Sequence, residues 1–199
     1  MVHAQEQERK DVAEKRKDWV EQQGKFDCNK CVFLDESGVN IDLTRRYGRA
    51  KGAERVQDKV PLNTPKNTTI LSSVRLDGQT VYTHFRGPLT GDRFLSYVKE
   101  QLVPRLREGD IVIMDNLRSH KVSGVREAIE EAKAFVLYLP PYSPDFNPIE
   151  MLWSKLKAFL RKEKARSLPD LDIAIPRAFD SITSSDISAW FQFAGYSLS

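Results

Sequence analysis

The chain has 199 residues, 40% of them hydrophobic and 30% charged, which is enough for one domain, or one domain with an appendage, around a sizeable core. It contains no apolar run near the roughly 20 residues needed to span a bilayer, and its polar N-terminus is unlike a secretion signal. Two cysteines without such a signal indicate free thiols in a reducing compartment. We therefore expect a cytoplasmic protein.

The net charge of +3 is small, but positive charge is concentrated in two segments. Residues 45–66 carry seven Lys or Arg against two acids, and residues 151–166 carry six against one. Two basic patches on a nearly neutral chain are typical of a protein that meets a polyanion at specific surfaces. Solvated charged faces are the alternative explanation for either patch alone.

The chain opens with a helix-prone, highly charged segment over residues 4–22, whose apolar stripe is thin and includes Trp19 and Val20. Such a helix is marginal alone, so we expect it to dock on the body or to link to something upstream. The short apolar run Cys31–Leu34 then predicts a buried strand that delivers Asp35 at its C-terminal end.

The next elements alternate in type along the chain. Segments 68–75 and 80–85 are rich in β-formers and flank Asp77-Gly78, which is a strong hairpin signal. Further helices and strands are predicted, in order, near residues 91–106, 111–114, 123–133, 134–139, 148–162 and from 168 onward. Strands that alternate with helices pair in parallel through right-handed crossovers, here joined to an antiparallel hairpin. We predict an α/β fold with a mixed five-stranded sheet and helices on both faces.

The stretch from Leu139 to Leu160 combines a proline-spaced approach with a helix start at Asn147-Pro148. One face of this helix is an apolar stripe that we assign to the core. Its members are Ile149, Leu152, Trp153, Leu156, Phe159 and Leu160. A second face carries Glu150, Ser154, Lys157 and Arg161, which is a carboxylate backed by two cations.

Three carboxylates are candidates for chemistry: Asp35 and Asp115 at the ends of short apolar strands, and Glu150 at a helix start. If the two strands are parallel neighbours, both aspartates emerge at the same edge of the sheet. Clustered carboxylates suit Mg²⁺ or Mn²⁺. The alternatives are turn formation for either aspartate and, for Glu150, a capping-box bond back to the Asn147 amide. Spacing alone leaves these readings about even.

Three segments together resemble the catalytic domain of DDE transposases: Phe33–Gly38, Met114–Asn116 with His120, and Leu139–Glu150. The resemblance is greatest to bacterial transposases of the insertion sequence 630 type, relatives of the mariner elements. It covers roughly residues 30–165 and is most specific in its last segment. The 34 residues between Asp115 and Glu150 match the spacing that this group uses.

This resemblance implies a ribonuclease-H-like fold in which Asp35, Asp115 and Glu150 form a catalytic triad that binds Mg²⁺ or Mn²⁺, as two ions. It implies hydrolytic cleavage at the element's ends, followed by attack of the freed 3′-hydroxyl on target DNA, usually at a TA step. Asn116 and His120 would orient Asp115 or contact phosphate, although a lone histidine is more often structural.

Partners follow from the same resemblance. They are transposon-end and target DNA at the nucleoid, and a second copy of the chain that helps to hold paired ends together. Contacts to backbone phosphates would come from six basic side chains. These are Arg45, Arg46, Arg49, Lys51, Lys157 and Arg161.

The chain departs from the family pattern because nothing before residue 30 is long enough for the helix-turn-helix part of full-length members. We expect a charged helical appendage at 1–29, the catalytic domain at 30–165 and packed C-terminal helices at 166–199. The missing part would be separately encoded, or the chain would be a fragment or a decayed copy. A stand-alone nuclease and an inactive DNA-binding or partner-binding relic are the alternative functions.

The pair Cys28 and Cys31 has the spacing of a metal knuckle. No second cysteine pair or nearby histidine completes a tetrahedral site in the sequence. We therefore expect both thiols to be structural.

Overall fold

The computed structural model describes residues 5–44, 47–49, 51–52, 55, 57–62 and 67–198. Its strands are β1 (Cys31–Val39), β2 (Thr68–Arg75), β3 (Thr80–Arg86), β4 (Ile111–Met114) and β5 (Phe135–Tyr138). Its α-helices are α1 (Lys10–Gln23), α2 (Gly91–Tyr97), α3 (Val125–Glu131), α4 (Ile149–Glu163), α5 (Leu168–Asp180) and α6 (Ser184–Phe193). Helix α2 continues into a π-helical turn and then a 3-10 turn that ends at Arg105.

The five strands form one mixed sheet in the order β3-β2-β1-β4-β5. Strand β1 pairs antiparallel with β2 and parallel with β4, and β4 pairs parallel with β5. The hairpin between β2 and β3 turns at Gly78, whose φ of +95° is accessible to glycine without a Cβ penalty. The predicted mixed sheet and its hairpin are confirmed.

Alternate residues of the central strands face two separate hydrophobic cores, as the pleat of a strand requires. Phe33 and Ile113 lie in the core beneath α4, α5 and α6, whereas Val32 and Met114 lie in the core beneath α2 and α3. Helices therefore cover both faces of the sheet, as predicted.

Strand β1 is longer than its apolar run. It continues to Val39 because β2 pairs with it along its whole length, up to Val39 opposite Thr68. Strand β4 stops earlier, at Met114 opposite Leu34. The prediction that the strand ends at Asp35 is therefore wrong, because backbone pairing with β2 keeps its polar second half extended.

Helix α1 docks on the body of the domain through Trp19, which is buried in the core that also contains α4. Its ring meets Phe26 edge-on with centroids 5.7 Å apart. The predicted stripe, which also included Ala13, was wrong at two positions, because Val20 is 52% exposed and Ala13 is exposed as well. The expectation that this segment docks on the body of the domain is thus confirmed.

Cys28 and Cys31 are both buried and unpaired to each other. Burial raises the pKa of the Cys31 thiol to about 12, so it is protonated at neutral pH. In the described part of the chain, no helix is both long and apolar enough to cross a bilayer.

Candidate active site

Asp35 and Asp115 are brought together by the parallel register of β1 and β4. Leu34 pairs with Met114 in the last rung of this ladder, so the two aspartates occupy the next position on each strand. Asp35 is held in an extended backbone by β2, whereas Asp115 begins a loop and accepts the Leu117 N–H at 3.1 Å. The turn-forming alternative therefore applies to Asp115 in part and not to Asp35.

Glu150 enters the site from the first turn of α4. The Asn147 side chain accepts the Ile149 N–H at 3.3 Å, and the Asn147 carbonyl accepts the Glu150 N–H at 3.2 Å. The Asn147 N–H donates to the Pro144 carbonyl at 3.0 Å and is therefore not available to the Glu150 carboxylate. The capping-box alternative for Glu150 is therefore wrong, and its carboxylate faces a cavity instead.

That cavity has a volume of about 510 Å³. The three predicted catalytic acids and the predicted Asn116 all line it, together with Leu117. The proline-rich approach to α4, residues 139–144, also lines it. Sequence positions separated by more than a hundred residues thus share one concave site.

Asp35 is the most deeply placed of the three acids, with only 8% of the residue exposed. Burial raises its pKa to about 7, and the negative charges of Glu36 and Glu150 act in the same direction. The indole N–H of Trp153 opposes this shift by donating to Asp35 Oδ2 at 3.0 Å. A buried carboxylate with acidic neighbours gains from a nearby cation, because the cation favours its ionised form.

The Glu150 carboxylate interacts electrostatically with both Asp115 and Asp35. Burial raises the pKa of Glu150, and the charge of Asp115 raises it further, while Lys157 two turns along α4 lowers it. Since Glu150 also acts on Asp35, the three carboxylates form one interacting set. Such perturbed acids in a cleft are typical of functional sites.

His120 lies behind the acids and is completely buried. Its Nε2 is 2.9 Å from Glu36 Oε2, and its Nδ1 is 2.6 Å from Asp115 Oδ1, although the angle of the second contact is outside hydrogen-bond geometry. Burial alone lowers the pKa of His120, but the close contacts with Asp115 and Glu36 and the negative charges of these two residues outweigh burial and raise the pKa to about 9. His120 is therefore an internal cation between two carboxylates.

The donor set suits a divalent metal in kind, because hard oxygen ligands are those that Mg²⁺ and Mn²⁺ prefer. Burial raises the pKa of Asp35, and a bound cation would offset this shift by favouring the ionised carboxylate. Among the residues that the structure describes, no three His, Cys, Asp or Glu side chains converge closely enough to hold an ion as positioned. Binding would thus use rotation of these side chains or oxygens from water and phosphate.

A sequence profile described as DDE superfamily endonuclease matches residues 30–172, which is most of the chain. The chain belongs to the DDE superfamily endonuclease family. No curated protein matches it significantly. Its family assignment agrees with the resemblance seen in the three motif segments.

Solved structures of mariner transposase Mos1 share the fold of this DDE superfamily chain. The Mos1 paired-end complex with left transposon end is 17% identical, with a TM-score of 0.73 over 92% of this chain and 59% of that chain. A Mos1 mariner paired end complex with Mn is 15% identical, with a TM-score of 0.71 over 98% and 62%. The catalytic domain of Mos1 alone is 14% identical, with a TM-score of 0.66 over 98% and 91%.

These likenesses establish the fold, which is ribonuclease-H-like as predicted. The chain spans about three fifths of the Mos1 transposase in the first two of these complexes and nearly all of the isolated catalytic domain.

The predicted DNA-contacting residues of the DDE chain fall into three groups. Lys157 and Arg161 are partly exposed on α4, and Lys157 is close enough to Glu150 to affect its pKa. Arg49 and Lys51 are exposed. Arg45 and Arg46 lie outside the described residues.

Sequence reasoning missed two partners of the acids. Trp153 was assigned to the core alone, yet its indole bonds Asp35. Glu36, next to Asp35, faces the opposite side of the sheet and holds His120. Glu150 and Trp153 are three residues apart on one helix and so share a face, which was the available signal for Trp153. The alternation of side chains along a strand was the available signal for Glu36.

Proposed function

We propose that this chain is the catalytic domain of a metal-dependent DNA transposase of the insertion sequence 630 type, which cleaves transposon ends and joins the 3′-hydroxyl to target DNA. The observation that carries the proposal is the meeting of Asp35, Asp115 and Glu150 in one pocket, from two parallel strands and a helix. Membership in an endonuclease family supports phosphodiester cleavage. The joining step is supported by the shared fold with a protein solved as a Mos1 Strand Transfer Complex.

Asp35, Asp115 and Glu150 would hold the metal, two Mg²⁺ or Mn²⁺ ions by resemblance. When bound, the ions supply activation of a nucleophilic oxygen and stabilisation of a leaving oxygen in phosphoryl transfer. Mos1 complexes with Mn and with Mg are consistent with that choice.

The remaining side chains would arrange these acids. Trp153 orients Asp35, and cationic His120 offsets the charge of Asp115 from behind while Asn116 lines the pocket beside it. Lys157 places a positive charge beside Glu150, where a DNA phosphate would approach.

The partners we propose are transposon-end and target DNA at the nucleoid, a second copy of the chain on DNA, and a separately encoded helix-turn-helix portion. Arg45, Arg46, Arg49, Lys51 and Arg161 would contribute further phosphate contacts. The boundaries at residues 30 and 165 are proposed for the catalytic domain.

The test uses the whole chain with Mg²⁺ or Mn²⁺, a supercoiled plasmid and a labelled duplex that ends in a 3′-hydroxyl. The wild type should nick the plasmid and join the labelled strand to it. Asp115→Asn should abolish both reactions and leave duplex binding roughly intact. Asp77→Asn, a matched change in the β2–β3 turn, should leave both unchanged.

Each outcome separates the candidate functions. Nicking without joining would identify a stand-alone nuclease and overturn the transposase proposal. DNA binding without either reaction would identify a relic. Cleavage that survives in Asp115→Asn would overturn the assignment of the triad.

A further inference from the structure

The loop at residues 139–148 contributes residues 139–144 and Asn147 to the lining of the pocket, and α1 contacts this loop through Arg16. Arg16 donates from Nη1 to Asp145 Oδ1 at 2.9 Å and from Nη2 to Asp145 Oδ2 at 2.7 Å. The same Nη1 donates to Ser143 Oγ at 2.7 Å, and the guanidinium lies 4.4 Å from the centroid of the Phe146 ring. The Arg16 side chain thus contacts the loop at Ser143, Asp145 and Phe146.

The geometry of this grip is specific. A guanidinium that bonds both oxygens of one carboxylate fixes direction as well as distance. The Arg16 side chain is only 19% exposed, so it is held against the loop and is not a freely moving surface side chain. Exposed ion pairs contribute little because solvent screens them, and this pair is only partly exposed, at 19% for the Arg16 side chain and 36% for that of Asp145.

Hydrogen bonds connect this loop to the first turn of α4, which bears Glu150. The Ser143 carbonyl accepts the Phe146 N–H at 3.2 Å, and the Pro144 carbonyl accepts the Asn147 N–H at 3.0 Å. These bonds form a 3-10 turn over Pro144–Phe146, which contains the Asp145 that Arg16 holds. Asn147 in turn accepts the N–H groups of Ile149 and Glu150. An unbroken chain of contacts therefore runs from Arg16 to the backbone of Glu150.

Tyr142 shows that the loop needs external support. It has a φ of +56°, in the left-handed region that is costly for a residue other than glycine. Its carbonyl accepts from Gln7 Nε2 at 2.6 Å and lies 3.5 Å from Arg16 Nη1. Backbone strain of this kind persists only where surrounding contacts hold it, and it is concentrated at functional sites.

The far side of the loop is anchored to α1 as well, through the C-terminal turn. Tyr196, almost fully buried, donates its hydroxyl to the Phe146 carbonyl at 2.9 Å. Gln23 at the end of α1 donates to the neighbouring Gly195 carbonyl at 3.0 Å. Helix α1 therefore holds the same loop directly through Arg16 and indirectly through residues 195–196.

We infer that Arg16 is a positioning residue of the active site. Its bonds to Ser143 and Asp145 keep the loop in the conformation that presents Glu150 to Asp35 and Asp115. Helix α1 is then part of the catalytic unit, which extends the unit beyond the proposed boundary at residue 30. The catalytic consequence rests on the proposed function, whereas the clamp on the loop does not.

The test measures loop protection and catalysis in the same variants of the whole chain. Arg16→Ala should speed amide hydrogen exchange in residues 142–150 by about tenfold or more, while exchange in β1 and β4 stays at the wild-type rate. Metal-dependent nicking should lose about tenfold or more in kcat with little change in KM for DNA, because misplacement by about 1 Å is enough for such a loss.

Matched variants separate positioning from general destabilisation. Arg9→Ala removes an ion pair with Asp11 outside the loop and should match the wild type in both measurements. Arg16→Lys keeps the charge without the bidentate contact and should fall between wild type and Arg16→Ala; it also serves if Arg16→Ala does not fold. The double change Arg16→Asp with Asp145→Arg should restore much of the protection.

Two results would overturn the inference: exchange in residues 142–150 that is unchanged in Arg16→Ala and Arg16→Lys, or a kcat equal to that of Arg9→Ala. Wild-type protein without any nicking would overturn the proposed function, and with it the catalytic role of Arg16. The exchange measurement would still decide whether the clamp on the loop exists.

Discussion

The indole N–H of Trp153 donates a hydrogen bond to Oδ2 of Asp35 at 3.0 Å, across 118 residues of sequence. Both side chains are buried, one on α4 and the other on β1. The bond ties the helix that carries Glu150 to the strand that carries the first acid. It explains how a large apolar residue of the core also fixes the geometry of the pocket.

Replacement of this donor should therefore cost both stability and activity. In Trp153→Phe, Asp35 keeps its burial and loses a hydrogen bond, so we expect a decrease of about 1–3 kcal/mol in the free energy of unfolding. Metal-dependent nicking should fall by about tenfold, since the carboxylate is no longer oriented. Urea denaturation and nicking rates measure the two effects. Trp190→Phe, a matched change at another buried tryptophan, should leave the nicking rate at the wild-type level.

His120 should be more important for stability than His84, which also contacts a carboxylate. In His120→Phe the ring remains to stack on Phe94, but Glu36 and Asp115 lose the cation between them. We expect a loss of about 1–3 kcal/mol in the free energy of unfolding at pH 7. His84→Phe, which removes a partly exposed contact with Asp172, should cost less. Equal losses in urea denaturation would contradict a special role for His120.

Lys157 should act on DNA affinity without regard to sequence. Removal of one phosphate contact flattens the dependence of log Kd on log salt concentration by about one unit per contact. We expect Lys157→Ala to weaken binding to random-sequence and terminal-repeat duplexes alike, as measured by fluorescence anisotropy over a range of salt concentrations. Lys99→Ala, an exposed lysine next to α2 on the other face of the sheet, is the matched control. A loss confined to one DNA sequence would show that Lys157 reads bases.

Asp186 should make the fold sensitive to acid. Its bonds from Lys155, then from Thr183, hold its pKa at about 2, below the ordinary 3.8. Because the folded pKa is depressed, this stabilisation is fully present above about pH 4 and is lost as the pH falls towards 2. The Asp186 side chain is 27% exposed, so solvent screening limits the contribution to about 1–2 kcal/mol.

Urea denaturation between pH 6 and pH 2 measures this effect. The free energy of unfolding of Asp186→Asn should fall less across this range than that of the wild type. Lys155→Met should show an intermediate dependence, since Thr183 still bonds the carboxylate from the backbone and the hydroxyl. Identical pH profiles for all three proteins would show that Asp186 does not link α4 to α6 energetically.

Local patterns were sufficient to predict the order and type of the elements. Short apolar runs predicted β1 and β4, and the Asp-Gly pair predicted the hairpin, because such signals depend on neighbours in the chain. The candidate acids followed from the same patterns, since parallel strands bring their ends to one edge. Resemblance to DDE transposases then selected Asp35, Asp115 and Glu150 from many acidic residues.

Pairing between distant segments decided what local patterns could not. Strand β1 runs to Val39 only because β2 continues beside it after β4 has ended. The alternative capping-box bond to the Glu150 carboxylate does not form, because the Asn147 N–H donates to the Pro144 carbonyl instead. Both outcomes depend on backbone geometry that a sequence period does not specify.

The sequence by itself therefore determined the sheet, its helices and the candidate acids of the site. Only the tertiary structure decided what surrounds those acids: Trp153 on Asp35, His120 between Glu36 and Asp115, and Arg16 on the loop before Glu150. The physical reason is that periodicity tells which face of an element is buried, whereas a side chain's hydrogen-bond partner depends on how two elements pack. Apart from the His120–Asp115 contact, which spans only five residues, these partners lie 84 to 129 residues apart along the chain.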